Sequence, residues 1–200
     1  MRVYVLVLSL SLLAAPVHAK CPADATTASF LAPGRFGVAM RDLTLVDTSR
    51  TTDAHGTVPA QPSRTLVTTV WYPTAPGAAD GALAPGGPFP LVVSSHGFSD
   101  LRLGAIYLAT ALASRGYVVA APDFPLTRFG TQPAPVLPDV RNQPADVSFV
   151  IDQLLERSRT RGEWLAGGVD RHRIGVSGLS LGGLTTLLLA YHPQLRDPRV

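Results

Sequence analysis

Three short apolar runs, each halted by turn residues and separated by stretches of helical spacing, constrain this 200-residue chain more than any other feature. Phe89 to Ser94 stops at Ser95-His96-Gly97, Tyr117 to Ala121 is followed by Pro122-Asp123, and Arg173 to Ser177 ends at Gly178. Runs this short and this apolar suit strands buried on both faces. After the first, Ser99 or Asp100 can cap a helix in which Leu103, Ile106, Tyr107 and Thr110 fall at helical spacing, with Arg115-Gly116 as terminal cation and left-handed stop. After the second, Pro144 opens a helix whose Val147, Val150, Ile151, Leu154 and Leu155 form one stripe, with Asp146, Asp152 and Glu156 expected on a solvated face. After the third, Leu181 to Tyr191 is a strongly apolar helix closed by His192-Pro193. Two earlier strands are expected at Phe36 to Val46 and Thr65 to Tyr72. Such alternation predicts the α/β class: a mostly parallel sheet with helices on both faces and chemistry at the carboxyl ends of its strands.

The connections differ in kind. Asp47 to Arg64 is polar, with Pro59 and Pro62, and Pro73 to Pro90 is dense in proline and glycine; both read as surface loops. Phe124 to Gln143 has no periodicity and several prolines, and loops of that length in compact domains are often functional. By position it can shape a substrate pocket.

Composition removes whole classes of function. Apolar residues make up 46% and charged residues 16%, so the chain has material for a core and is not disordered. The net charge of +3 comes from 17 basic and 14 acidic residues, and the arginines are scattered singly, so nucleic acid is not an expected partner. One cysteine, Cys21, excludes a disulfide framework within the chain and any cysteine-based zinc site. Residues 1–19 read as a secretory signal peptide: Arg2 is followed by an apolar run from Val3 to Leu13, and Val17-His18-Ala19 ends in a small-x-small cleavage pattern. The run is too short to span a bilayer. Cleavage after Ala19 gives a secreted or periplasmic protein that starts at Lys20, with one domain over residues 20–200 and no membrane span. Lys20 stands where lipidation of Cys21 would need a small residue, and Cys21 is either paired outside these residues or a free thiol.

Gly178-Leu179-Ser180-Leu181-Gly182 fits G-x-S-x-G, the pattern that places a nucleophile on a sharp strand-to-helix turn. The context is the required one, since a strand ends before Ser180 and a helix starts after it. Gly178 and Gly182 have a steric reason, because a backbone turned this tightly leaves no room for side chains two residues either side. An acyl-transfer nucleophile also needs donors aimed at the nascent oxyanion. The Leu181 amide at the helix start is one candidate, and the Phe98 amide, beside Gly97 in the loop after the third strand, is the second. His96 can alternatively be read as a base, although that breaks the order serine, acid, histidine of such triads.

Pro90 to Gly97, Gly116 to Asp123 and Arg173 to Gly183 together resemble the α/β-hydrolase superfamily. With Val70-Trp71-Tyr72-Pro73 they are most similar to its platelet-activating-factor acetylhydrolase and dienelactone-hydrolase-like branch, from about Phe36 onward. The resemblance implies a serine nucleophile at Ser180, oxyanion amides at Phe98 and Leu181, and hydrolysis of a small or lipid ester without metal or organic cofactor.

The other catalytic positions find no residue in this chain. His192 and Asp197 are the only histidine and acid after the elbow, and His192 lies at the far end of the following helix, about 18 Å from Ser180 at 1.5 Å per residue. The chain therefore looks like the amino-terminal part of a longer hydrolase, truncated after the nucleophile helix. By itself it is expected to be inactive and to leave a sheet edge and apolar helix faces uncovered. Two alternatives stay open: a peptidase or amidase of the same fold, and a silent module that only binds. Asp123 sits on the active-site edge, either organising its own loop or taking a direct role. His55 and His172 lack partners at metal-ligand spacing, and Trp71 and Trp164 read as packing or rim residues.

Overall fold

Half-buried and exposed residues along most of β1 (Gly37–Asp47) and continuous burial from Thr68 onward along β2 (Arg64–Thr74) mark an outer strand and its covered neighbour. The two pair antiparallel throughout, from Gly37 opposite Thr74 to Asp47 opposite Arg64. The computed structural model describes residues 32–78 and 81–200. The expected signal peptide, residues 1–19, and Cys21 lie outside the described residues. β3 (Phe89–Ser95) is followed by α1 (Ile106–Ser114) and β4 (Val118–Pro122). A 3-10 turn, Leu137–Asn142, leads into α2 (Gln143–Arg159), then β5 (Val169–Gly178) and α3 (Leu181–Tyr191).

The sheet runs β1-β2-β4-β3-β5, with β3 parallel to both β4 and β5 and β2 antiparallel to β4. From β3 the chain steps to β4 on one side and then crosses back to β5 on the other. The crevice at the carboxyl ends of β3 and β5 is thus the topological switch point, where ligands of open α/β sheets bind.

The two faces are filled by the alternation of the strands. On one, Val70, Tyr72, Leu91, Val93, Val118 and Ala120 pack against the expected α2 stripe, all five members of which are buried. On the other, Trp71, Val119 and Ala121 meet Ala109 and Ala113 of α1. Trp71 is therefore a core residue, and Trp164 stacks on Tyr72 with ring centroids 4.7 Å apart.

Two expectations need correction. Helix α1 starts at Ile106, after a series of turns, and is not capped by Ser99 or Asp100. Its buried residues are Ala109, Ala113 and Ser114, with Leu112 packed at the border of the same cluster, and Leu103, Ile106 and Tyr107 are exposed, because alanines take the face against Trp71. Asp146 is not on a solvated face: it is fully buried, whereas Asp152 and Glu156 are exposed. Its partner is Arg64, whose Nε and Nη2 donate to Asp146 at 2.8 and 2.6 Å while Nη1 and Nη2 donate to Asp139 at 3.1 and 3.0 Å. Burial pushes the Asp146 carboxyl above its ordinary value against the pull of Arg64 and Arg50. The two carboxylates hold Arg64 charged despite its burial.

The apolar helix α3 buries Leu181, Gly182, Thr185 and Leu189 and leaves Leu184, Leu187 and Tyr191 exposed. Strand β5 pairs only with β3 among the described strands. No helix of the described residues is long and apolar enough to cross a membrane.

Candidate active site

The last residues of β5 and the first of α3 form a turn in which Ser180 has φ 53° and ψ −115°, a region that L-residues rarely occupy. Holding a non-glycine residue there costs about 1–3 kcal/mol and persists only where the surroundings over-determine it. Here they do. A Cβ on Gly178 would lie 2.2 Å from the Gly182 carbonyl, and one on Gly182 would lie 2.0 Å from the Ser95 carbonyl oxygen. The elbow glycines are thus required by the backbone of α3 pressing on β5 and on the end of β3. Ser180 is exposed at the tip, and its hydroxyl has no hydrogen-bond partner among the described residues.

The loop after β3 lies beside this tip. A Cβ on Gly97 would contact the Leu179 carbonyl at 3.5 Å and Ser180 Cβ at 3.7 Å, and the Leu179 amide donates to the Ser95 carbonyl at 3.3 Å. Phe98, the next residue, is exposed. Neither the Phe98 nor the Leu181 amide has an acceptor among the described residues. The structure thus brings together Ser180, Leu181, Gly178, Gly182 and the Gly97-Phe98 loop, and leaves two amides at the switch point without internal partners.

His96 is buried beneath that loop with both ring nitrogens engaged. Nδ1 donates to the Gly97 carbonyl at 2.7 Å, and Nε2 accepts the Phe124 amide at 3.0 Å. Burial pushes its pKa below the ordinary 6.5, against the pull of the Gly97 carbonyl. A neutral imidazole used in this way pins the loop to the end of β4 and is not available as a base.

The other candidates sit apart from Ser180. His172 is at the start of β5, about 26 Å away at 3.3 Å per residue, and accepts from Arg171. His192 follows α3 and accepts the Gln194 amide at 3.2 Å. Asp197 bonds back to the Leu189 carbonyl, about 13 Å along α3 from Ser180. The Arg199 guanidinium, opposed by burial and helped by the Ser148 hydroxyl, holds the Asp197 carboxyl at about 2. Asp123 organises its loop: its oxygens accept the Arg102 amide at 2.6 Å and Arg102 Nη1 at 2.7 Å. Among the described residues no cluster of histidine, cysteine or acid is placed to hold a metal.

A cavity of about 500 Å³ opens between the start of β2 and the segment after β4. Arg102, Asp123, Pro125, Leu126 and Arg128 line it together with Thr65 of β2; Ser180 does not. The proline-rich loop after β4 thus contributes a pocket wall. Composition and period did not reveal its location, which depends on β2 pairing antiparallel with β4.

The sheet order, the switch point and the strand–elbow–helix define an α/β-hydrolase fold. The comparisons agree and narrow it. The family model of platelet-activating factor acetylhydrolase, isoform II, matches residues 56–125. Among solved structures, a ferulic acid esterase from Streptomyces cinnamoneus is similar at 30% identity with a TM-score of 0.60. That match covers 83% of this chain and 59% of the esterase, so the chain spans less than two thirds of that protein. No curated protein matches. The relationship read from the motifs, to the acetylhydrolase and dienelactone-hydrolase-like branch of esterase-like hydrolases, is borne out.

Proposed function

We propose that this chain carries the nucleophile and oxyanion half of an exported serine ester hydrolase. The observation that carries the reading is the elbow itself: an exposed serine at positive φ, forced there by two glycines with no space for a Cβ, beside the loop that presents the Phe98 amide. In the proposed reaction Ser180 Oγ forms a bond to the ester carbonyl carbon while its proton passes to a base. The carbonyl oxygen, now negative, is held by the Leu181 and Phe98 amides, each worth about 3 kcal/mol in such sites. Collapse expels the alcohol, which takes the proton, and water then releases the acid from the acyl-enzyme. The base is a histidine oriented by an acid, both from outside the described residues, since His96, His172 and His192 are engaged elsewhere and His55 sits in the polar loop before β2, bridged to Val58 with its Nδ1 3.3 Å from the Asp53 carbonyl. Carboxylic esters are favoured over amides because the similar structure is named an esterase and the matching family an acetylhydrolase.

The test is fluorophosphonate labelling followed by mass spectrometry, carried out on the protein that also supplies the histidine and the acid, because the serine reacts only when a base activates it. A single adduct on the peptide containing Ser180, absent in Ser180→Ala, is expected. A folded protein that takes no label overturns the reading. It favours instead a module that binds without reacting. For export, amino-terminal sequencing of the protein recovered outside the cytoplasm is expected to start at Lys20; a start at Met1 refutes cleavage after Ala19.

A further inference from the structure

We propose that Gln143, the first residue of α2, is a positioning residue that sets the spacing of the two oxyanion amides: its buried side chain bridges the nucleophile helix to the segment that holds the Phe98 loop. The inference rests on the reading of Ser180 as nucleophile and deepens it, because it adds a residue that acts on that site through others, without touching substrate.

Two strained residues mark the ends of the bridge. Among the described residues other than glycine, Ser99 and Ser180 have positive φ, at 58° and 53°. Ser99 follows Phe98 and Ser180 precedes Leu181, so each candidate amide is adjacent to one of them. At the α3 end, the Thr185 hydroxyl lies one turn on from Leu181, 3.2 Å from its carbonyl, and gives its proton to Gln143 Oε1. Gln143 Nε2 donates to Thr127 Oγ1 at 2.8 Å, and the Thr127 carbonyl accepts the Ser99 amide at 2.8 Å. Thr185, Gln143 and Thr127 are all fully buried. A continuous interior path thus runs from Leu181 to the residue beside Phe98.

The geometry of acyl transfer gives this path a purpose. Oxyanion donors act at about 2.7–3.1 Å from the developing charge, and here they come from two different elements, so their spacing depends on how the loop is held against α3. At the base of the loop the Leu179 amide meets the Ser95 carbonyl at 3.3 Å. The rest of the loop is tied to the segment after β4: the Phe124 amide donates to His96 at 3.0 Å and the Phe129 amide to the Asp100 carbonyl at 2.9 Å, beside the Ser99 bond. Gln143 ties that segment in turn to α3. Its own backbone is held from both sides, because Asp139 before it and Asp146 after it are both locked on Arg64. Apolar side chains could fill the same space without polar groups to satisfy, but they pack by shape alone. A buried chain of directional bonds fixes one arrangement.

The test uses the protein that also supplies the histidine and the acid, and reads both motion and rate. Thr185→Val cuts the bridge at Gln143 Oε1 and Thr127→Val cuts it at Nε2, so misfolding of one variant leaves the other to decide; Thr185→Ser keeps the hydroxyl. Exchange of the Ser99 amide hydrogen, followed by NMR, is expected to quicken about tenfold in Thr185→Val, although Thr185 lies on another element. The Ala84 amide, bonded to the Pro73 carbonyl at 2.9 Å, should exchange as before. With p-nitrophenyl acetate, kcat is expected to fall about tenfold in either valine variant, a part of the roughly 100-fold that loss of one donor costs. KM should stay within about twofold, since the oxyanion pair serves acylation and deacylation alike. The double variant is expected to be no slower than either single one, because both cut the same bridge, and Thr185→Ser to recover most of the rate. Ser99 exchange that does not respond, a kcat that holds while exchange quickens, or valine effects that multiply overturns the positioning role. The two readings separate. Where the unsubstituted protein shows no hydrolysis that Ser180→Ala abolishes, the nucleophile reading falls and Ser99 exchange decides the bridge by itself.

Discussion

At the scale of single residues the site is built from backbone approach more than from side-chain contact. Gly182 sits where the first turn of α3 presses on the end of β3, and its missing Cβ is the condition for that contact. Gly182→Ala is expected to destabilise the fold by about 1–3 kcal/mol or more, as overpacking does, and to abolish labelling of Ser180. Gly175→Ala, in the same strand but with nothing within 4 Å of the added carbon, is the control and should leave the denaturant midpoint unchanged. His96 gives a pH signature. Its folded pKa lies below 6.5, so above pH 6.5 it is neutral in both states and stability is complete. As pH falls below 6.5 the unfolded chain takes up the proton first, and stability declines toward the folded pKa. His96→Ala should remove this decline and cost about 1–3 kcal/mol for each of the Gly97 carbonyl and Phe124 amide left unpaired. A slope between pH 6.5 and 5 unchanged by the substitution, measured in urea, argues against His96 as its origin.

At the scale of elements, what was legible in the sequence depended on whether local pattern and tertiary environment agree. The α2 stripe from Val147 to Leu155 and the Leu181–Tyr191 helix were read correctly, because apolar spacing, a proline start and a proline stop act within the segment itself. The elbow was legible for the same reason, since its glycines and serine lie within five consecutive residues. Helix α1 was not: its apolar spacing selects Leu103, Ile106 and Tyr107, whereas the residues packed against the Trp71 cluster are Ala109 and Ala113, with Leu112 at its border. Nor was Asp146, because its partner Arg64 lies 82 residues earlier and nothing local announces the pairing. That pair ties the start of β2 to the 3-10 turn and to the first turn of α2. Arg64→Met is expected to destabilise by about 3–5 kcal/mol, since buried Asp139 loses its cation and buried Asp146 keeps only Arg50. The loss should be insensitive to added salt, because buried pairs are little screened, and a loss that vanishes in molar salt would assign the pair to the surface.

At the scale of the whole molecule, the sheet is covered unevenly, and that governs how the chain behaves in solution. On the β1 side the charged residues Arg41, Asp42 and Asp47 interrupt the edge strand. On the β5 side charge is confined to the first half, Asp170 to Arg173, and the second half, Ile174 to Gly178, presents a half-buried apolar run with its outer hydrogen-bonding edge unpaired among the described strands. Beside it α3 exposes Leu184, Leu187 and Tyr191, the last at 78%. A strand edge without charges next to an exposed apolar helix face is a template for association. Residues 20–200, produced alone, are therefore expected to self-associate as concentration rises, with sedimentation showing species heavier than the monomer. Leu187→Lys combined with Leu184→Lys should shift the distribution toward monomer without lowering the melting temperature, since both side chains already face water. A preparation that stays monomeric and melts cooperatively at every concentration would show that this face needs no cover, and would detach the exposed surface of α3 from any role in assembly.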